Sequence, residues 1–421
     1  MRKYNSYKDS GVQWLGVIPT HWKIQKMKYS FTERSEKNHP NESVLCATQS
    51  QGVIPQYMYE NRVVVVNKGF ENLKLVKVGD FVISLRSFQG GIEYAYYQGI
   101  ISAAYTILKP NDSITPGYAR LLMKSFGFIQ LLQTCVTGIR EGQNINYDLL
   151  KNKFIPLPPK EEQEEITKFL DKRTEEIDEQ ISKVEREIEL LKEYKQTEVA
   201  RVVIHGLNPN APTKPSGISW IGDIPKHWKV KTLRNYLRMV SEKGHPDEQL
   251  LSVVREQGII IRDRDSQEEN HNFIPDDLSG YKLVKVGQFA INKMKAWQGS
   301  YGVSSYQGLV SPAYYVCELN ASNKQFFNEA IRSKVYVPFF TQYSKGIRVG
   351  QWDLSPIGLK SIPFIEPPLS EQQQIVDYID RKTTSIDRLV VELTYQVEYL
   401  KEYKQRLIAD VVTGKINVQP D

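Results

Sequence analysis

Two stretches of the chain repeat hydrophobic residues at the period of a coiled coil. Leu170, Ile177, Val184 and Leu191 fall seven apart, with Ile181 and Ile188 in the alternate seam positions. A shift of 209 gives Ile379, Ile386, Leu393 and Leu400, with Val390 and Val397 between them. The pattern predicts helices over 161–204 and 371–412, each on the order of 60 Å long at 1.5 Å per residue. Glu161, Glu162, Glu164 and Glu165 set negative charge where the first helix dipole favours it, and Ser370 with Gln373 has capping-box spacing. Gly206 and Gly414 mark the stops. Thr174, Lys195, Thr383 and Lys404 are polar residues on the seam, of the kind that fixes register at some loss of stability.

The stretches ahead of these helices are also repeated. SGVQWLGVIPTHW (10–22) returns as SGISWIGDIPKHW (216–228), with eight of 13 positions identical. KLVKVGDFVI (74–83) and KLVKVGQFAI (282–291) read as strand, turn, strand, and the runs from Tyr97 and Tyr306 read as further strands. Helical segments follow near 118–133 and 324–343. Each half then closes with GIREGQ or GIRVGQ and a Pro-rich hinge, IPLPP or IPFIEPP. The expected fold is α+β, a tandem repeat of two α/β domains separated by two long helices that pair as an antiparallel coiled coil with pseudo-twofold symmetry. Its parts are 1–155, the helix segment 156–206, 207–365 and the helix segment 366–414.

Charge adds a functional reading. The net charge of +6 is spread as +8 over 1–155, −5 over 156–206, +6 over 207–365 and −3 over 366–421. Basic globular parts alternate with acidic helices, so a polyanion is expected at the globular parts. Three scattered cysteines, Cys46, Cys135 and Cys317, fit neither a disulfide framework nor a zinc site and read as core residues. No apolar run of membrane-spanning length and no apolar leader occurs, so a soluble, cytoplasmic protein is expected.

The WxGxIPxHW, GIRxGQ and PLPP-EEQ or SEQQQI motifs and the closing KEYKQ helices, each in duplicate, resemble a specificity subunit of a type I restriction-modification system. The resemblance covers almost the whole chain. It implies two target recognition domains, each reading half of a split, asymmetric site in double-stranded DNA. It further implies helices that fix the gap and dock methyltransferase subunits, with two such partners and restriction subunits as further members of the assembly. The methyl donor would come with the partners; the chain itself is expected to hold no cofactor and no metal. Trp352 and Asp353 stand where the first repeat has Asn144 and Ile145, so the two copies are not expected to make identical contacts there.

Candidate DNA contacts are polar and basic loop residues suited to base edges or phosphate. The first set is Arg86, Ser87 and Gln89, matched by Lys293, Lys295 and Gln298. A second is Arg140, Gln143 and Asn144, with Arg348 and Gln351. Arg255, Arg262 and Arg264 lie where the repeats diverge. For each, a merely solvated or bracing turn is the plainer alternative. The pairs His21–Trp22 and His227–Trp228 read as packing anchors. Val391, Tyr395 and Tyr399 form a stripe off the seam of the second helix, fit to dock a partner helix or to pack on the chain's own domains.

Little points to catalysis. There is no GxxxxGK[ST] loop and no Asn-Pro-Pro-aromatic sequence. The Glu193–Lys195 and Glu402–Lys404 triplets lie in the helices, where plain helix surface explains them. The alternative functional reading is a coiled-coil scaffold with non-specific nucleic-acid binding; an enzyme with an unrecognised site is the remote third.

Overall fold

The computed structural model describes the chain apart from residues 1, 61–67, 86, 138–143, 264–274, 276, 349–350 and 420–421, and gives only the backbone at Ile347, Arg348 and Gln351. The chain is a mixture of helix and strand in two compact units. One is Met1–Glu185 together with Tyr395–Asp421; the other is Arg186–Thr394. Two long helices, Lys160–His205 and Leu369–Val412, run through this division, so each unit holds the start of one and the end of the other.

Both units share a strand order. In the first, Phe31–Arg34, Thr106–Pro110, Phe81–Ile83 and Glu93–Tyr94 form a four-stranded antiparallel sheet. In the second, the counterparts are Leu237–Val240, Tyr315–Leu319, Phe289–Ile291 and Tyr301–Val303. The KLVKVG runs do give strand, turn, strand. Their two strands do not pair with each other, however: Lys74–Val76 pairs with Gly99–Ile101 and Phe81–Ile83 with Thr106–Pro110. Leu45, Val53, Val76, Val82, Ile101 and Ile107 form one apolar core of the first unit. In the second, Phe289, Tyr301, Phe327, Phe340 and Phe364 gather with Trp228 and with Val202, Ile375 and Ile379 of the long helices.

The hinge before each helix is a strand, Phe154–Leu157 on Lys23–Lys26 and Pro363–Glu366 on Lys229–Thr232. The Glu-Gln pair that follows then has a divided task. Gln163 Nε2 donates to Pro158 O (2.9 Å) and Gln372 Nε2 to Pro367 O (2.8 Å), tying hinge to helix. Glu162 accepts from Trp22 Nε1 (3.0 Å) and pairs with His21 Nε2 (2.8 Å), while Glu371 accepts from Trp228 Nε1 (2.9 Å) and pairs with His227 Nε2 (2.5 Å). Both tryptophans are fully buried, worth on the order of 4 kcal/mol each. The same rings receive the other helix end: a Cβ at Gly206 would sit 3.0 Å from Trp228, and one at Gly414 would run into Pro19 and Trp22. Both glycines have positive φ, as a helix stop requires. The capping box expected at Ser370 is absent. The helix begins at Leu369, two residues before the expected start at 371, which puts Ser370 inside it, and Gln372 N bonds to Pro368 O instead.

Of the seam residues, Leu170, Ile177, Ile181, Ile188, Ile379, Ile386 and Val397 are buried, and Val184, Leu191, Val390, Leu393 and Leu400 half-buried. In the first unit Lys404 Nζ meets Asp178 Oδ1 at 2.7 Å and Lys401 Nζ meets Glu185 Oε1 at 2.9 Å, so contacts advance along one helix as they retreat along the other. In the second unit Lys195 Nζ lies 2.6 Å from both Asp387 carboxylate oxygens, and Tyr378 donates to Glu198 (2.6 Å). Lys195–Asp387 and Asp178–Lys404 are one pair at the 209-residue shift, made once in each unit. Among the described residues no helix is long and apolar enough to cross a membrane.

Candidate nucleic-acid interface

In the second unit the sequence candidates converge. The segment after Phe289–Ile291 leaves the sheet at Asn292 and turns through Ala296–Gln298. Against it lies the hairpin Ser344–Arg348 and Gln351–Leu354, whose register is irregular between Gly346 and Arg348. Leu354 N donates to Lys293 O (3.1 Å), Lys293 Nζ pairs with Asp353 Oδ2 (3.0 Å), and the Trp297 and Trp352 rings lie 5.3 Å apart. Lys293 is therefore half-buried and already engaged by a carboxylate. Lys295 and Arg255 are exposed, and Gln298 is half-buried. The Arg255 stem lies 3.8 Å from where a Gly299 Cβ would stand, which brings the turn after Leu251–Val254 to the same loop. Burial raises the Tyr314 hydroxyl against an opposing pull from Arg262, and that hydroxyl accepts from Asn292 at the loop's base (2.8 Å). Arg348 and Gln351 lie on the two hairpin strands.

Arg332 holds this assembly from beneath. Its Nη1 donates to Tyr301 O (2.6 Å) and its Nη2 to Glu256 O (2.7 Å) and Arg255 O (3.3 Å). Burial lowers the guanidinium pKa, with Glu329 opposing. Trp297 Nε1 is buried without a hydrogen-bond partner among the described residues.

The first unit repeats the plan with other residues. The short helix Ser87–Gly90 packs beside Asn144–Ile145 and against Phe126–Gln133. Gln89 and Asn144 are exposed. Ser87 departs from expectation: it is buried, its hydroxyl accepting from Ser84 N (2.9 Å), so it braces the turn and does not face a ligand. Arg86, Arg140, Gln143 and Arg264 lie outside the described residues. Beneath the loop Lys124 Nζ bonds to Gly90 O (2.8 Å), Gln49 O (3.3 Å) and both oxygens of Glu93 (2.7 Å each). Burial lifts the Glu93 carboxyl to about 7 even with Lys124 pulling it down. Lys124 and Arg332 are counterparts in the repeat, and so are Gln49 and Arg255. The sequence reading missed both cations because they sit in helical segments where the copies share little else.

Basic and amide side chains on braced turns, with aromatic rings alongside, suit contact with phosphates and base edges. Among the described residues no group of three or more His, Cys, Asp or Glu side chains is placed to hold a metal ion. The joint at each helix start is structural: His21 and His227 bond to the helix carboxylates. Val391, Tyr395 and Tyr399 are 52%, 66% and 67% exposed.

Residues 19–189 match the type I restriction modification DNA specificity domain. A Methanocaldococcus jannaschii chain assigned as the type I restriction enzyme MjaX specificity subunit is 23% identical over 428 residues, covering 96% of each chain. The fold is similar to a solved chain from work on complex assembly and conformational transition of the type I R-M system, with TM-score 0.65, 15% identity and coverage of 95% of this chain and 99% of that one. It is also similar to the HsdS subunit from Thermoanaerobacter tengcongensis, with TM-score 0.52, 15% identity and coverage of 97% and 100%.

Proposed function

We propose that the chain is a specificity subunit of a type I restriction-modification system and that it selects a bipartite, asymmetric DNA site for such a complex; the domain match over 19–189 and the likeness to specificity subunits along the chain support this. The carrying observation is the convergence of Lys295, Gln298 and Arg255 with the 344–354 hairpin on one braced surface, matched in the first repeat by Gln89 and Asn144 on different side chains. Equivalent platforms carrying unlike residues read unlike half-sites.

On this reading residues 1–155 and 207–365 are the two target recognition domains. The segments 156–206 and 366–414 pair as an antiparallel coiled coil under pseudo-twofold symmetry. The recurring Lys195–Asp387 and Asp178–Lys404 pairs support that arrangement. The coil would set the distance between half-sites, near one helical turn of DNA. Arg86, Arg140, Gln143, Arg262, Arg264, Lys293, Arg348 and Gln351 complete the contact set. Catalysis and the methyl donor belong to methyltransferase partners, two per chain, and cleavage to a restriction subunit. Val391, Tyr395 and Tyr399 dock a partner. The site of action is the cytoplasm.

The test is selection from random double-stranded DNA by the reconstituted complex. A split motif with a fixed gap is the expected result, and binding should weaken steeply with salt. Recovery of unselected sequence would instead leave a scaffold with non-specific nucleic-acid binding.

A further inference from the structure

The two helix-start joints differ in one respect. In the first unit Tyr4 covers the carboxylate of Glu162, donating its hydroxyl to Oε1 at 2.5 Å with its ring 5.6 Å from His21 and 6.0 Å from Trp22. Glu162 is consequently sealed, with 1% of its side chain exposed. At the repeat offset the position of Tyr4 is taken by Asn210, which is exposed. Glu371, the counterpart of Glu162, keeps the Trp228 and His227 bonds but is 34% exposed. Where the phenol would lie there is a cavity of about 300 Å³, lined by His205, Asn208, His227, Glu371, Gln374 and Ile375 among others. His227 and Glu371 are the counterparts of His21 and Glu162, which contact Tyr4 in the first unit, and Ile375 is the counterpart of Ile166.

We propose that this cavity is a binding site for a 4-hydroxyphenyl group, whose hydroxyl donates to Glu371 and whose ring lies beside His227 as the Tyr4 ring lies beside His21, with Ile375 as a further wall. The carboxylate supplies a charge-assisted acceptor in a recess walled partly by apolar groups. A tyrosine side chain of a partner protein and a free phenol both carry this chemistry. The site is independent of the DNA-reading surface, and its occupation fastens the start of the second long helix as Tyr4 fastens the first.

Calorimetric titration of the full chain with p-cresol tests this. The wild type should bind one equivalent. Asn210→Tyr, which restores the missing side chain, should abolish binding, and Tyr4→Ala should open the second seat and raise the stoichiometry to two. Glu371→Gln should weaken binding at least tenfold. N-acetyltyrosinamide distinguishes the sources: if it binds as p-cresol does, the occupant is a protein side chain, and if p-cresol alone binds, it is a small phenol. No saturable binding by the wild type, or a stoichiometry unmoved by both Asn210→Tyr and Tyr4→Ala, overturns the proposal.

Discussion

Lys124 Nζ lies 2.7 Å from both carboxylate oxygens of Glu93, directly under the loop that carries Gln89. The pair is more than an internal charge match, because the same ammonium holds the Gly90 and Gln49 carbonyls. Lys124→Met strands a buried carboxyl and frees the loop, at a cost of about 3 kcal/mol. Glu93 titrates in the folded chain near 7, above its unfolded value, so folded protein holds the extra proton and stability falls as pH rises between about 4.5 and 7. Losing Lys124 steepens that fall: denaturation of the variant should show a small penalty at pH 5 and a large one at pH 8. Arg332→Met should free the matching turn in the second unit. Both variants should lose affinity for the selected site while keeping most of their affinity for unrelated DNA. An equal loss on both DNAs would argue against a positioning role.

Glu198 provides an acid-side signature. Its hydrogen bond from Arg201, helped by one from Tyr378, holds the carboxyl down at about 2. A depressed folded value gives stability that is fully present above the unfolded carboxyl range and lost as pH falls toward 2. Glu198→Gln should cost on the order of 1–2 kcal/mol at pH 7 and nothing near pH 2, as read by urea denaturation across that window.

The seam lysines should matter more for register than for stability. Asp178 and Asp387 are largely exposed, so a double-mutant cycle on either pair should return about 0.2–1 kcal/mol. Replacing Lys195 and Lys404 together by leucine should raise the melting temperature while broadening the distances between spin labels on the two helices.

A whole heptad inserted in each long helix adds about 10 Å. If the helices set the gap, the selected motif should lengthen by about three base pairs at 3.4 Å each. An unchanged gap would remove the ruler from the mechanism.

The exposed stripe on the second helix is not repeated on the first, where Ser182 and Arg186 replace Val391 and Tyr395 and only Leu190 is apolar. Tyr395→Ala with Tyr399→Ala should leave the melting temperature of the chain nearly unchanged and weaken methyltransferase binding by 10-fold or more in a titration. Undiminished binding would assign the docking to another face.

The long helices were legible because a period of seven survives any loop variation, and their observed bounds lie within two residues of those expected. The paired loops were legible as polar turns after strands. Their bracing was not. Lys124 and Arg332 share only a positive charge, and apart from the Glu93 carboxylate on Lys124 what they hold at the loops are backbone carbonyls, which leave no trace in side-chain identity. Ser87 shows the converse: a polar residue in a candidate turn looked outward by composition but points inward to cap it. The role of Glu162 and Glu371 was hidden because acidic residues at a helix start already have a sufficient explanation in the helix dipole.

The division of the long helices also sets an order of events during synthesis. Arg186–Thr394 is one continuous stretch, so the second unit has all its parts as soon as it has emerged. The first unit does not: Tyr118 needs the Val412 carbonyl (2.9 Å), Asp178 needs Lys404, and Trp22 needs Gly414. At about 5–20 residues per second the ribosome takes on the order of 10 to 40 s to travel from Glu185 to Tyr395. For that interval the first unit lacks the partners that residues 395–421 supply, whereas the second unit is expected to close as soon as it has emerged.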